Sequence, residues 1–247
     1  MRPLAVVLFC LLSIGRPAFA QEKTLYLSSL NWPPYSQQGL EQGASVAVAK
    51  AAFAAMGYRL VVDFYPWSRT LNLANDAHSK YAGYFPEYYA EQLTEHFIFS
   101  DPIGSGPLGF AEQHNQPHIW QNLEELSAYT IGIVHDYINT AELDGLLAKG
   151  VLHGSEVTND KLNLLKLANG RIDLAVIDQN VMHYLQYSDP EVSAVQNKLS
   201  FNPHILENKQ LYVCFKKSHA QLAEIFNQGL KKIDAQKIQA EYLAKMR

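Results

Sequence analysis

The sequence is poor in cysteine, in charge of one sign and in long apolar runs. It holds two cysteines among 247 residues, and 20 Lys and Arg stand against 24 Asp and Glu without a block of like charges. A formal net charge of −4 with no basic cluster gives no electrostatic reason to bind nucleic acid or anionic lipid. Because 48% of the residues are hydrophobic and only 18% are charged, disordered, collagen-like and coiled-coil chains are excluded.

One apolar run opens the chain and predicts a secretory signal peptide. Residues 4–14 are apolar except for Ser13, they follow Arg2, and Ala18-Phe19-Ala20 has the small-x-small pattern of a cleavage site. A membrane anchor is the alternative, but the run is too short for roughly 30 Å of hydrocarbon. We therefore expect residues 1–20 to be removed, the mature chain to begin at Gln21, and the product to be a soluble protein of the periplasm.

The remaining sequence offers little for metal, thiol or phosphate chemistry. Cys214 would be the single cysteine of the mature chain, so it cannot form an internal disulfide, and its alternating surroundings predict a buried strand thiol rather than a catalytic one. His114 and His118 are four residues apart, but Gln116-Pro117 lies between them and disfavours a shared helical face. Gly-rich phosphate loops, HExxH and GxSxG are missing from the sequence, so we predict neither metal nor cofactor.

Strand-like and helix-like segments alternate along the mature chain, which predicts an α/β fold. Apolar and alternating runs predict strands, whereas apolar residues three and four apart predict helices. Strands are predicted at residues 25–30, 59–65, 81–85, 130–134, 173–177 and 211–215, and helices at 44–56, after Pro66, at 141–149, 161–169 and 222–233, and through Ile238 and Tyr242. This order implies a parallel sheet covered by helices.

The strand and helix pattern begins anew near residue 112, which predicts two units. The first would comprise residues 21–110 and 206–247, and the second residues 111–205. Two segments rich in Gly, Pro, Asn and Ser, 101–107 and 200–203, are predicted to connect them.

Aromatic residues follow several predicted strands, at the edge where open α/β sheets bind ligands. Trp32 and Tyr35 lie on a loop stiffened by two prolines, and Trp67, Tyr84 and Tyr137 follow or end later strands. Aromatic side chains held in place lose little entropy on binding a ligand. These five residues are candidate ligand contacts, with packing of the loops themselves as the alternative.

Two charged residues after strands are candidates for polar contacts. Arg69 could present a planar fork to an anion, or could be an exposed helix charge. Asp178 follows a continuous apolar strand and could bind an ammonium group, or could cap the helix that begins near Asn180. The other cations near strands, Lys80, Arg59 and Arg171, precede or begin their strands and are expected to point away from the cleft.

Several motifs in one order resemble the periplasmic extracellular solute-binding proteins of family 3, the polar amino-acid-binding type associated with ABC transporters. The resemblance covers nearly all of the mature chain. It rests on Trp32-Pro-Pro-Tyr35, Pro66-Trp67-x-Arg69, the segment 97–103 with Phe-Ser-Asp-Pro, Ile131-Gly-Ile-Val134, the segment 170–178 and the strand and helix that follow Leu211. It implies the type II periplasmic-binding-protein fold, in which two α/β lobes joined by two crossing hinge segments close on a ligand.

The resemblance also implies roles for individual residues. Trp32 matches the aromatic that packs on the ligand, Asp178 matches the acid that holds its ammonium group, and Ser100 is the serine of the Phe-Ser-Asp-Pro motif. The family's carboxylate-clamping arginine is replaced by Leu93, and the acidic residues usual after Gly43 are missing. A ligand with an anionic group would need another cation, and we predict Arg69 for that role.

Together these features predict a monomeric, non-enzymatic binding protein. It would capture an amino acid or an amine-bearing relative and present it to an ABC transporter or a membrane sensor. Hinges are expected near residues 106–111 and 208–213. The alternatives are a sensory module without transport and a periplasmic enzyme on the same fold, similar to cyclohexadienyl dehydratases, for which Asp178 and then Glu87 are the candidate general acids.

Overall fold

The fold is built around one mixed, ten-stranded sheet with helices packed against it, as seen in a computed structural model that describes residues 23–245. The strands are β1 (Lys23–Ser29), β2 (Tyr58–Phe64), β3 (Gly83–Tyr88), β4 (Phe97–Phe99), β5 (Gly104–Gln113), β6 (Thr130–Val134), β7 (His153–Val157), β8 (Leu174–Asp178), β9 (Leu199–Phe201) and β10 (Glu207–Lys216). The helices are α1 (Ala44–Ala54), α2 (Trp67–Asn75), α3 (Ala141–Ala148), α4 (Asp160–Ala168), α5 (Gln179–Ser188), α6 (Pro190–Ser193), α7 (Ala220–Leu230) and α8 (Ala235–Ala244). Short 3-10 helices cover Glu91–Glu95, Leu123–Ala128, Gln196–Lys198 and Lys217–His219.

Two parallel groups of strands lie at the two ends of the sheet, whose order is β2-β1-β3-β10-β5-β8-β6-β7. Strands β2, β1 and β3 are parallel to one another, and so are β8, β6 and β7. Because β3, β10, β5 and β8 pair antiparallel in turn, the two groups run in opposite directions, and the carboxyl ends of each group, where ligands of such sheets bind, face the other group.

Strands β5 and β10 run antiparallel through the middle and join the two groups. The first half of β5, Gly104 to Leu108, pairs with β10, and its second half, Leu108 to Glu112, pairs with β8. Segment 101–107, predicted as an irregular crossing, is therefore mostly strand from Gly104 onward. Segment 200–203 is likewise the end of β9 and a turn, and the second long connection is β10.

An aromatic core fixes the helices of the first group against the sheet. Phe53 of α1 lies 4.8 Å from Phe226 of α7 and 6.2 Å from Phe215 of β10, measured between ring centroids. Gly57 ends the helical segment at a φ of 76°, which a residue with a Cβ adopts only at a cost. Helix α1 ends at Ala54, two residues before the predicted end, and a turn leads from it to Gly57.

Within residues 23–245, no helix is long and apolar enough to cross a membrane. The predicted signal peptide lies outside the described residues.

Candidate functional site

A small cavity lies between the two groups of strands, beside the carboxyl ends of strands from both groups. Its volume is about 30 Å³, enough for one or two water molecules. It is lined by Leu30, Trp32, Trp67, Pro86, Glu87, Tyr88, Tyr137, Ile138 and Leu211. Most of these residues belong to β1, α2, β3 and their flanking loops, whereas Tyr137 and Ile138 follow β6 in the other group.

Four aromatic rings form most of the wall, and we call Trp32, Trp67, Tyr88 and Tyr137 the aromatic cage. Tyr137 packs edge-to-face against Trp32 at 6.5 Å and against Trp67 at 5.9 Å, measured between centroids. Trp32 also meets Tyr88 edge-to-face at 5.9 Å. The space between the strand groups is therefore filled by the protein's own rings.

A tight turn presets one wall of the cage. The Trp32 amide donates to the Ser36 carbonyl at 2.6 Å, and the Tyr35 amide donates to the Trp32 carbonyl at 3.0 Å. This turn stacks the rings of Trp32 and Tyr35 at 4.8 Å. The rigid aromatic loop predicted from the two prolines is present, although Tyr35 lies beneath Trp32 rather than against the cavity.

Glu87 is the carboxyl group that lines the cavity. One of its oxygens accepts the Tyr88 amide at 2.8 Å, and the other accepts the Tyr84 hydroxyl at 3.2 Å. Burial is the main cause of a rise in the pKa of Glu87 to about 8, and these hydrogen bonds and the charge of Lys209 partly oppose it.

Two further carboxyl groups lie just behind the cage. Burial raises the pKa of Asp160 to about 7 against the opposing effect of Trp32 and Tyr137, whose polar atoms face it. Burial also raises the pKa of Asp178 to about 7, against hydrogen bonds from Val181, Tyr35 and Asn180. An ionised carboxylate without a cationic partner is expensive to bury, so all three groups favour their neutral form.

Asp178 is the N-cap of α5 and also contacts the opposite strand group. Its Oδ1 accepts the Asn180 amide at 2.8 Å and the Val181 amide at 3.2 Å, so the capping role considered from the sequence is present. The Tyr35 hydroxyl donates toward both oxygens at 3.1 Å and accepts from the Asn180 side chain at 2.8 Å.

Three more hydrogen bonds join the two strand groups around the cage. The Trp67 indole donates to the Asp136 carbonyl at 2.9 Å, and the Ser68 hydroxyl donates to the Asp136 carboxylate at 2.6 Å. Farther out, the Tyr184 hydroxyl donates to the Gln37 side chain at 3.0 Å. Asp136 has a φ of 63°, the single positive value among the described non-glycine residues, and this backbone turns its carbonyl toward Trp67.

Gly106 of β5 provides room for the contact between Tyr35 and Asp178. A Cβ at this position would lie 2.0 Å from the Tyr35 hydroxyl and 2.0 Å from Asp178 Oδ2. The close approach therefore requires glycine, inside the segment predicted as a hinge.

Three residues predicted to bind ligand lie elsewhere. Arg69 is exposed and its guanidinium lies 4.8 Å from the Tyr65 ring, outside the cavity. Ser100 donates to the Asp101 carbonyl at 2.6 Å and accepts the Val213 amide at 3.0 Å, so it fixes the backbone between β4 and β10. Tyr84 does not line the cavity; it donates a hydrogen bond to Glu87 at 3.2 Å and packs edge-to-face on Trp67 at 5.6 Å between ring centroids.

Sequence reasoning missed Tyr88 and Asp160 and placed Glu87 after a strand. Strand β3 continues through Pro86 to Tyr88, so Glu87 and Tyr88 lie within it. Asp160 is the first residue of α4, and Asn159 caps this helix. The strand that precedes Asp160, β7, is not predicted from the sequence, so no strand end marks Asp160 as a candidate.

The described residues contain no group of three or more His, Cys, Asp or Glu side chains placed to hold a metal ion.

The sheet order, the two strand groups and the cleft between them define the α/β, two-lobed periplasmic-binding-protein fold. No protein-family model and no curated protein sequence matches the chain. Its structural neighbours are solute-binding proteins and sensor domains, which confirms the predicted fold.

Three solved structures illustrate the similarity. The BvgS VFT2 domain of Bordetella pertussis is 16% identical with a TM-score of 0.73, covering 91% of this chain and 93% of its own. A histidine kinase sensor domain similar to periplasmic binding proteins is 17% identical, with a TM-score of 0.74 and coverages of 90% and 94%. An ancestral arginine-binding protein bound to arginine is 15% identical, with a TM-score of 0.71 and coverages of 90% and 97%.

Proposed function

We propose that this chain is a solute-binding module whose two lobes close on a small ligand at the aromatic cage. The observation that carries the proposal is the cavity itself, because side chains from both strand groups line it. Such a site is complete only when the two groups approach each other, which is how hinged binding proteins couple ligand capture to a change of shape.

The lobes in this proposal comprise residues 21–110 with 206–247, and residues 111–205. Strands β5 and β10 are the natural hinges because both pass between the groups. The hydrogen bonds from Trp67 and Ser68 to Asp136, and from Tyr35 to Asp178, would form on closure.

An amine-bearing small molecule is the ligand class that we favour. Buried carboxyl groups and aromatic faces both suit a cation. Among the neighbours, the ancestral protein is bound to arginine and the GluR0 ligand-binding core of Nostoc punctiforme to L-glutamate. Export through the predicted signal peptide would place a monomeric receptor in the periplasm.

A thermal-shift screen of amino acids, amines and organic acids tests the binding proposal. A ligand that binds the folded state alone must raise the melting temperature. Small-angle scattering of the chain with and without the best ligand should then show a change in the radius of gyration. A ligand that stabilises the protein at an unchanged radius of gyration would contradict hinge closure.

Presentation to a membrane partner is the next step of the proposal. The neighbours include an ABC transporter substrate-binding protein from Streptococcus pneumoniae and a histidine kinase sensor domain. Uptake of radiolabelled ligand by cells with and without this chain separates the two roles, because a transport protein is required for uptake and a sensory module is not.

An enzyme on the same fold is the second candidate, favoured by one observation. Glu87 lines the cavity with a pKa raised to about 8, so it is protonated at neutral pH, as a general acid must be. Following the best ligand by NMR over hours in the presence of the protein tests this role. Conversion by the wild type but not by a Glu87→Gln variant would establish catalysis, whereas an unchanged ligand spectrum supports binding alone.

A further inference from the structure

Glu87 differs from the other two buried carboxyl groups because it faces the cavity. Asp178 is surrounded by the cap amides of α5 and the Tyr35 hydroxyl, and Asp160 lies behind the cage; neither lines the cavity. Each oxygen of Glu87 accepts one hydrogen bond from the protein, and a carboxylate oxygen can accept two. Glu87 therefore retains acceptor capacity beside the cavity.

Two residues that line the cavity, Tyr88 and Trp32, each have a buried polar atom without a hydrogen bond among the described residues, and the Trp32 indole N–H faces Asp160. The Tyr88 hydroxyl is buried and makes no hydrogen bond within the described residues, although Tyr88 lines the cavity. Buried hydroxyl groups are normally hydrogen-bonded, so an unpaired one at a cavity indicates a place for a ligand polar group. The hydroxyl can accept from an N–H as well as donate.

Among the described residues, no positively charged side chain lines the cavity to bind an anion. None of the residues that line the cavity is Arg, Lys or His. The nearby Lys209 lies 5.3 Å from the Tyr88 ring centroid and 3.5 Å from the Glu207 carboxylate, so it is already partnered. The amides of Tyr137 and Asn139 donate to the Val134 carbonyl and to Asp144, which removes them as anion donors.

We propose that Glu87 is the counter-ion of a ligand ammonium group, and that the cage selects small organic amines without an adjacent carboxylate. This inference rests on the proposed binding function. The ammonium group would donate to Glu87 and to the Tyr88 hydroxyl, while the faces of Trp32, Trp67 and Tyr137 contact its carbon atoms. An α-carboxylate would be desolvated among these rings without a cation, which is costly.

Three short-chain compounds test the selectivity. n-Butylamine carries only the cation, butyrate carries only the anion, and norvaline is butylamine with an α-carboxylate added. In calorimetric titrations near pH 7.5 we expect n-butylamine to bind, norvaline to bind at least about tenfold more weakly, and butyrate to show no binding. Stronger binding of norvaline or butyrate than of n-butylamine would overturn the inference.

Variants then identify the counter-ion. Glu87→Gln should weaken n-butylamine at least about 30-fold, as expected for loss of a desolvated charge pair. Tyr88→Phe removes a hydroxyl with no protein partner, so it should weaken binding several-fold while the protein remains folded. Glu112→Gln is the matched control, because Glu112 is a buried acid that hydrogen-bonds Asn202 and His118 outside the cavity. Unchanged affinity in both Glu87→Gln and Tyr88→Phe would overturn the assignment.

Proton release gives an independent measurement. A carboxyl group that is neutral in the free protein must lose its proton to pair with an ammonium group. Calorimetric titrations with n-butylamine in buffers of different ionisation enthalpy should therefore reveal the release of a proton on binding near pH 7. The groups that face Glu87 are Tyr84, Tyr88, Tyr137, Lys209 and Cys214. Release that persists in Glu87→Gln would assign the proton to another group and count against Glu87.

The screen distinguishes failure of this inference from failure of the proposed function. If n-butylamine does not bind but another class of ligand stabilises and compacts the chain, the binding function stands and the cation inference is wrong. If neither n-butylamine nor any compound of the wider screen binds, both fail.

Discussion

Replacing Gly106 by alanine should separate the two strand groups at the contact between Tyr35 and Asp178. The new Cβ would lie 2.0 Å from both the Tyr35 hydroxyl and Asp178 Oδ2, whereas ordinary contact begins at 3.4 Å. Each oxygen would therefore need to retreat by about 1.4 Å. Tyr35 belongs to the first strand group and Asp178 to the second, so their retreat breaks the hydrogen bonds that join them at 3.1 Å.

The energetic cost depends on whether the cleft stays closed. If it does, overpacking costs about 1–3 kcal/mol and loss of a hydrogen bond to a buried acid about 1–3 kcal/mol more. If the cleft opens instead, water solvates both groups and most of this cost disappears. Gly106→Ala should therefore either lower the free energy of unfolding by about 2 kcal/mol or more, or increase the radius of gyration.

Urea unfolding followed by tryptophan fluorescence, together with small-angle scattering, measures both outcomes. Gly145→Ala is the matched control, because Gly145 lies within α3 and a Cβ there meets no atom within 4 Å. That change should stabilise the protein by about 0.5–1 kcal/mol through helix propensity. Wild-type stability together with a wild-type radius of gyration in Gly106→Ala would refute the proposed closure contact.

Three further predictions concern the buried acids and the contact at Asp136. The free energy of unfolding should fall by several kcal/mol as the pH rises from about 4 to 8. Glu87, Asp160 and Asp178 have raised pKa values, so they bind protons more tightly in the folded state than in the unfolded state. Urea melts across this pH range measure the change, and a flat profile would contradict it. The Asp178→Asn variant should keep the helix cap and be more stable than the wild type above pH 7, because asparagine cannot ionise. The same urea melts measure this difference, and equal pH profiles for the two proteins would contradict it. Asp136→Ala should lower the free energy of unfolding by about 1–2 kcal/mol, because alanine disfavours the positive φ and the hydrogen bond from Ser68 is lost. Asp136→Gly tolerates the positive φ and should lower it by less. Equal losses in the two variants would show that backbone conformation is unimportant at this position.

The regular elements could be predicted because their signals are local. Strand β6 has the predicted bounds, and α3 begins at the predicted residue, since an apolar strand and a Thr140 cap mark them in the sequence. Strand β7 was missed because it is polar and mostly exposed. The sequence predicts a connecting segment where β5 begins, because the first half of this strand contains two glycines and a proline. Pairing with β10 and β8 overrides that local preference.

The aromatic part of the site could also be predicted, because ligands of α/β sheets bind beyond the carboxyl ends of the strands, and these ends face the cleft in both groups. Trp32, Trp67 and Tyr137 were identified in this way and all line the cavity. Arg69 does not, for a geometric reason. It is two residues beyond Trp67 on α2, and a helix turns about 100° per residue, so the two side chains point in nearly opposite directions. With Trp67 facing the cavity, Arg69 faces solvent.

The acidic character of the site arises from pairs that are far apart in the sequence. Tyr35 faces Asp178 and Tyr137 faces Asp160, while only Tyr84 and Glu87 are near neighbours in the chain. No spacing rule reveals the first two pairs, because the fold alone brings their elements together. Single residues could be proposed from the sequence, but their pairing could not.

In these three pairs a tyrosine hydroxyl stands where a lysine or arginine would neutralise the acid. A hydroxyl can donate to a carboxylate and can equally accept from a carboxylic acid, so it tolerates both protonation states. A fixed cation would instead hold the acid ionised and already paired, leaving it little attraction for a charged ligand. Acids kept neutral by burial can lose their protons when a cation arrives. Lys209 faces Glu87 but pairs with Glu207 instead, and this lack of an ion pair at Glu87 is what would make the cleft selective for an ammonium group.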